Sequence, residues 1–199
     1  MDRKKDQLQT IRDYVFELFH NDATGHDYYH MERVARMAKT IAEKEGADSF
    51  ICETAAWLHD IGDKKLFTNP EQARNEMDDI LTKIEIDRNS IELIYEAIKD
   101  VSFSKGKTPA TLAGEIVQDA DRLDAIGAIG ISRVFAYGGT KEQLIYHDEN
   151  PENTSIQHFY DKLLKLKNLM NTPTAIKIAQ ERHAFMEAYL DQFFREWKD

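Results

Sequence analysis

The chain has one cysteine, Cys52, in 199 residues. A disulfide within the chain is therefore excluded, and so is a structural zinc site built on several thiolates. Cys52 reads as a small buried apolar side chain on a helix. Long apolar runs are missing as well. Nothing approaches the roughly 18 consecutive apolar residues that a membrane-spanning helix needs. The opening MDRKKDQLQT is charged, with no apolar segment after it. The expectation is a cytoplasmic protein without a membrane partner. Positive charge is also scarce, with 26 Lys and Arg against 36 Asp and Glu, a net charge of −10. Sequence-independent binding to nucleic acid draws its affinity from many cations on phosphates, so bulk nucleic-acid binding is not expected. A small phosphorylated ligand stays open, because a bound divalent cation and a few local Lys or Arg outweigh distant carboxylates at a screening length of about 8 Å. No segment alternates apolar and polar residues over strand length, and there is no internal repeat, low-complexity tract or interdomain linker.

What is present is helical periodicity. Met31, Val34, Ala35, Ala38, Ile41 and Ala42 form one stripe, closed by Gly46 as a helix-ending residue, and Ile51, Ala55 and Leu58 form the next. Further stripes are Ile91, Ile94, Tyr95 and Ile98; Leu112, Ile116, Ala120 and Leu123; Ile156, Phe159, Leu163, Leu166 and Met170. The last is Ile178, Phe185, Tyr189, Phe193 and Trp197, for which the core is the expected face and a homodimer contact the alternative. The four prolines fall where helices would begin: Asn69-Pro70, Thr108-Pro109 and Thr172-Pro173 read as a cap followed by proline, and Pro151 lies in the polar loop HDENPENTS. The fold class is all-α, and one domain is expected over 1–199, with a C-terminal helical extension over about 154–197 packed on it.

The stretch WLHDIGDKK, residues 57–65, sets His59 and Asp60 side by side where the chain otherwise packs Trp57, Leu58 and Ile61. On its own a His-Asp pair is weak evidence of chemistry. However, His30 lies in a neighbouring stripe, and the later segment VQDADRLDAIGAIG offers Asp119, Asp121 and Asp124. Unpaired carboxylates at the edge of an apolar stripe carry a desolvation cost of several kcal/mol, which a shared divalent cation removes. Adjacent helix residues diverge by about 100°, so His59 and Asp60 reach one point only if the helices around 30, 59 and 121 are mutual neighbours. Two imidazoles with two carboxylates suit Mn²⁺, Fe²⁺, Ni²⁺ or Zn²⁺ better than Mg²⁺, and a six-coordinate ion so held keeps two open positions. Those positions accommodate a nucleophilic water and a phosphate oxygen.

The ordered set His30, His59-Asp60 and Asp121 resembles the H…HD…D signature of the HD-domain metal-dependent phosphohydrolases, an all-α superfamily. The strings HDYYHMERVARMA, AAWLHDIGD and QDADRLDAIGAIGISR, with HFYDKLLKL and a long C-terminal helix, resemble its small bacterial nucleoside triphosphate pyrophosphohydrolases over residues about 10–197. The resemblance implies His30, His59, Asp60 and Asp121 as metal ligands. It selects Asp121, the aspartate of ADRL, over Asp119 and Asp124. It also implies one divalent ion, with Mn²⁺ favoured, and a nucleotide substrate. The expected reaction is hydrolysis of a ribo- or deoxynucleoside triphosphate to the monophosphate and pyrophosphate.

Around this set the residues offer secondary candidates. Asp63, three after Asp60, would share its face on a helix and accept a proton from the nucleophilic water; an ion pair with Lys64 or Lys65 is an equal alternative. Arg33, one turn after His30, and Lys64 could hold phosphate oxygens, and His26 at the start of the helix that begins near Asp27 could do the same. Arg122 and Arg133 are weaker candidates, with Asp124 a structural partner for Arg122. His20, His147, His158 and His183 have no partner at ligand spacing. GAIGIS has neither the spacing nor the Lys of a phosphate-binding loop, and Gly127 and Gly130 are better explained by close helix packing. A nucleoside monophosphatase, a guanosine tetraphosphate hydrolase and a non-catalytic nucleotide sensor remain alternatives. A cyclic-dinucleotide phosphodiesterase is disfavoured because no GYP and no second histidine pair follow HDIG.

Overall fold

The computed structural model describes residues 3–22, 25–102 and 106–198, and among these every regular element is helical. Helix α1 (Arg3–Phe19) turns Gln7, Ile11, Val15 and Phe19 inward at a spacing of four and packs on α2 (Tyr28–Glu45) and α3 (Ser49–Leu58). Helix α2 begins where the Asp27 carboxylate accepts from the His30 backbone N–H at 2.7 Å, and it ends at Gly46 with a φ of 73°. Both ends fall where the sequence predicts them, and the predicted stripe from Met31 to Ala42 is buried.

Helix α3 is buried on nearly every side, from Phe50 to Leu58, as expected of a helix at the centre of a bundle. It packs against α2, α1, α5 (Arg88–Ile98) and α6 (Leu112–Asp124). Cys52 lies in it without solvent exposure, and burial pushes its thiol up to about 12. The buried Glu53 is met by Arg12 at 3.1 Å and Lys39 at 3.3 Å. Helix α4 (Pro70–Lys83) starts at the predicted Asn69-Pro70 cap.

Two of the proline marks lie short of the helices they announce. Helix α6 starts at Thr111, whose hydroxyl accepts from the Gly114 N–H at 3.1 Å. Pro109 instead packs against Gly114, where a Cβ would collide with it. Pro151 likewise precedes the true cap, Thr154, of α8 (Ser155–His158).

Helix α6 turns into α7 (Gly127–Thr140) within two residues. Gly127 takes a φ of 77° and also admits Arg182 of the C-terminal helix, where a Cβ would lie about 3.0 Å from its side chain, so close packing is part of its role as expected. A Cβ on Gly130 would run into the Ala125 carbonyl, so that glycine serves this turn. After α8 the backbone widens into a π-helical turn (Phe159–Leu163), continues through α9 (Leu164–Leu166) and tightens at Lys167–Leu169. Ile156, Phe159, Leu163, Leu166 and Met170 nevertheless all stay buried.

Helix α10 (Pro173–Lys198) packs on α7, α6 and α2. Its core face is not the large-residue stripe predicted from periodicity. Ala175, Ala179, His183, Met186 and Leu190 are buried, while Phe185 and Trp197 are exposed. Tyr189 and Phe193 are half-buried and join an aromatic cluster with Phe135, Phe159 and Tyr146. Small residues on the inner face allow a close approach that bulky rings would prevent. No helix among the described residues is long and apolar enough to cross a membrane.

Candidate metal centre

Helix α3 ends at Leu58, so His59 is its C-terminal cap and Asp60 lies in the following turn. His59 itself keeps helical backbone angles, φ −62° and ψ −27°, and the regular helix gives way to a turn after it. The backbone turns tightly here, with the Ile61 N–H on the Leu58 carbonyl at 3.0 Å and the Asp63 N–H on the Asp60 carbonyl at 3.1 Å. Gly62 follows with a φ of 80°, and Arg74 of α4 donates to its carbonyl at 2.8 Å. His30, in the first turn of α2, and Asp121, on α6, face this turn. Helices α2, α3 and α6 are mutual neighbours, as the sequence predicts.

The four side chains form a ring. The His30 Nε2 lies 3.8 Å from Asp60 and 3.6 Å from Asp121, and the His59 Nε2 lies 3.5 Å from Asp60 and 3.8 Å from Asp121. Both Nε2 atoms are buried and make no hydrogen bond. Other buried polar atoms of the described residues also lack a partner, Trp57 Nε1 and Thr54 Oγ1 among them, and what distinguishes these two is that they face a pair of carboxylates. An ion about 2.1 Å from each donor would set neighbouring donors roughly 3.0 Å apart in octahedral and roughly 3.4 Å apart in tetrahedral geometry. The ring is slightly wider than either. Asp60 turns Oδ2 to His30 and Oδ1 to His59, and His30, His59 and Asp121 form one compact ligand group while His26, His30 and Asp60 form another. The chemistry of the donors fits, since neutral imidazole and carboxylate are both ligands for borderline divalent ions.

The opposite ring nitrogens are held from outside. The His59 Nδ1 donates to the Ala56 carbonyl at 2.7 Å, and the His30 Nδ1 meets Asp124 at 2.8 Å. Burial lowers the pKa of His30, against the pull of Asp124. For His59 burial also disfavours the charge, but Asp60 and Asp121 together outweigh it and raise the value to about 9. Burial opposes ionisation of Asp60, and the charges of His59, His30 and His26 more than offset it and hold the carboxyl well below its usual range. Asp121 is lowered against burial by His59 and His30 in the same way.

The secondary candidates separate on inspection. His26 is brought to the ring, with its Nδ1 2.9 Å from Asp60. Asp63 shares no helical face with Asp60, because both lie in non-helical turns; one of its oxygens accepts from the Lys65 N–H at 2.8 Å. Lys64 is exposed beyond that turn. The Arg33 fork is engaged with Asp124, Nε at 2.7 Å and Nη2 at 3.0 Å, and is not aimed at the ring. Arg122 does not pair with Asp124 but donates to the Leu169 carbonyl, and it is Arg133 that meets Asp124, at 3.0 Å. Asp119 serves the start of α10 by accepting from the backbone N–H groups of Asn171 and Thr172 at 2.8 Å each. His20 and His147 make exposed local contacts, and His183 pairs with Glu187.

Two residues gain weight that the sequence did not give them. Asp124 is a buried hub for His30, Arg33 and Arg133. Its spacing of three from Asp121 on one helix was the available signal. Lys162, on the π-helical turn, is half-buried, and burial lowers its pKa against the attraction of Asp121, with Arg133 and Lys65 adding repulsion. Nothing in helical periodicity announces a π turn, and the one signal for Lys162 was its place in HFYDKLLKL, a string read for resemblance and not for chemistry.

An all-α bundle carrying a His, a His-Asp pair and an Asp on three adjoining helices defines a class, and residues 27–126 match the HD domain profile. The chain belongs to the HD domain family. It is 40% identical over 194 residues to the uncharacterised protein YpgQ of Bacillus subtilis (strain 168), covering 96% of this chain and 93% of that one. The crystal structure of B. subtilis YpgQ in complex with ADP superposes with a TM-score of 0.85 at 39% identity, over 98% of this chain and 96% of that one. An HD-superfamily hydrolase from Bacillus thuringiensis superposes with a TM-score of 0.82 at 39% identity, over 98% of both chains.

Proposed function

We propose that the protein is a metal-dependent phosphohydrolase of nucleotides that cleaves ribo- or deoxynucleoside triphosphates to the monophosphate and pyrophosphate. The observation that carries this reading is the pair of buried Nε2 atoms on His30 and His59, without hydrogen bonds and facing Asp60 and Asp121. The nucleotide class is supported by the ADP complex of YpgQ, a relative at 39% identity over nearly the whole chain. His30, His59, Asp60 and Asp121 would hold one divalent ion, Mn²⁺ in preference to Mg²⁺, Ni²⁺, Fe²⁺ or Zn²⁺. Such an ion supplies positive charge for a phosphoryl oxygen and lowers the pKa of water.

The chain's own residues supply the rest. His26, whose Nδ1 meets Asp60, is the proposed contact for a phosphate oxygen through its other ring nitrogen. Lys162 and Lys64 are the proposed cations for the outgoing pyrophosphate, Lys162 because it is already drawn to Asp121. Arg33 enters this scheme only through Asp124. A proton-accepting role for Asp63 has lost its helical argument and rests on position alone.

The test is a hydrolysis panel with Mn²⁺, Mg²⁺, Ni²⁺ and Zn²⁺ against nucleoside tri-, di- and monophosphates and guanosine tetraphosphate, with every product identified. Monophosphate plus pyrophosphate from triphosphates is the expected result. Asp60→Ala should lower the rate by more than the roughly 10–100-fold that loss of an outer-sphere partner costs. Asp63→Asn reads out the proton acceptor, and Lys162→Ala should raise KM more than it lowers kcat. Orthophosphate from monophosphates would replace the proposal with a nucleotidase. Nucleotide binding without any product would replace it with a sensor.

A further inference from the structure

We propose that Asp124 is a positioning residue that fixes the His30 ring with its Nε2 lone pair turned into the metal site. The inference rests on the metal reading above. Its starting point is the occupancy of one carboxylate. An ionised carboxylate has about four acceptor positions. Oδ1 of Asp124 takes the Arg33 Nε at 2.7 Å, and Oδ2 takes the Arg33 Nη2 at 3.0 Å, the Arg133 Nη1 at 3.0 Å and the His30 Nδ1 at 2.8 Å. All four are used.

Three consequences follow from that saturation. Asp124 lies beside a cation site and is not available to ligate the cation, because its oxygens are committed to donors on α2 and α7. Held between two guanidinium groups, it remains an anion, and an anionic carboxylate only accepts hydrogen bonds. The proton of the neutral His30 ring therefore sits on Nδ1, and Nε2, the atom facing Asp60 and Asp121, is left bare for an ion. His59 is oriented by another route, its Nδ1 donating to the Ala56 backbone carbonyl, so that Nε2 is the nitrogen that faces the carboxylates. One ligand ring is thus set by main chain and the other by a side-chain hub that joins α2, α6 and α7.

A purely structural hub would tie the three helices together without affecting the metal. The two roles are separated by ¹⁵N spectra of histidine-labelled protein at pH 8, together with Mn²⁺ binding read by the EPR signal of free Mn²⁺. In the wild type, His30 should carry its proton on Nδ1. Asp124→Asn should weaken Mn²⁺ binding by about 10–100-fold, and Arg133→Gln, which removes one of the cations, should weaken it less. Circular dichroism would check that each variant remains folded. If Asp124→Asn does not fold, Arg133→Gln and the wild-type tautomer decide the question. A wild-type proton on Nε2, or a folded Asp124→Asn that binds Mn²⁺ within twofold of wild type, overturns the proposal and leaves the metal reading standing. A wild type that binds no divalent ion overturns both.

Discussion

Cys52, inside α3, and His59, at its end, show burial opposing charge at both groups with opposite outcomes. The thiol has nothing nearby to compensate for lost water, so it stays protonated up to about 12, whereas two carboxylates outweigh burial at His59. Because the thiolate is the nucleophile, Cys52 should resist alkylation at pH 8 in the native protein and react fully in urea; brisk native labelling would contradict its placement. The sign of its pH effect is fixed as well. A raised folded value means that the unfolded chain loses the proton first, so the contribution is intact below about 9 and is lost as pH rises towards 12. The urea midpoint of Cys52→Ala should fall less steeply than that of wild type across that range. At this scale the sequence was informative wherever a side chain had one job. The convergence of His30, His59 and Asp60 with an aspartate of VQDADRLD could be read from residue type and order, and the resemblance chose Asp121 among the three offered there. The partners of Asp124 could not, because which of Arg33, Arg122 and Arg133 reaches it depends on helix packing that no spacing reveals.

Helix ends decided most of what was legible in the elements. Asp27, Gly46 and Asn69-Pro70 mark their helices because each satisfies or terminates the backbone locally. Between Leu58 and Gly62 there is no such mark, and the exit of the chain from α3 one residue before His59 went unread. The face of α10 was misread for a different reason. Hydrophobicity alone favours Phe185 and Trp197, but closeness to α6 and α7 selects Ala175 and Ala179. The α6–α7 turn offers a sharp test. Gly130→Ala, whose Cβ would meet the Ala125 carbonyl, should cost about 1–3 kcal/mol in urea unfolding. Gly139→Ala, on the same helix with nothing within 4 Å of the added carbon, should be neutral or stabilising by about 0.5–1 kcal/mol. Equal effects of the two would mean that the turn is looser than described.

Over the whole molecule one hydrophobic cluster runs from Ile11 on α1 to Leu190 on α10. The chain should therefore unfold in one transition, with far-UV circular dichroism and tryptophan fluorescence giving coincident curves. Removing α10 from Pro173 onward would bare α6 and α7, and the truncated chain should lose that cooperative transition. The fold class was legible at this scale because stripes of period 3.6 and the lack of alternation leave few other arrangements. The position of the His-Asp pair beyond the last turn of α3 carries one more consequence. The carbonyl end of a helix bears about half a negative charge. On the proposed reading, the unloaded ring combines that pole with two ionised carboxylates, offset in part by His59 with its pKa raised to about 9, in a chain of net charge −10. It should repel a triphosphate and attract a divalent ion. Loading would then be ordered, cation before nucleotide, and chelator should abolish nucleotide binding as well as turnover. Supply of the metal, more than of the nucleotide, would set when this protein works.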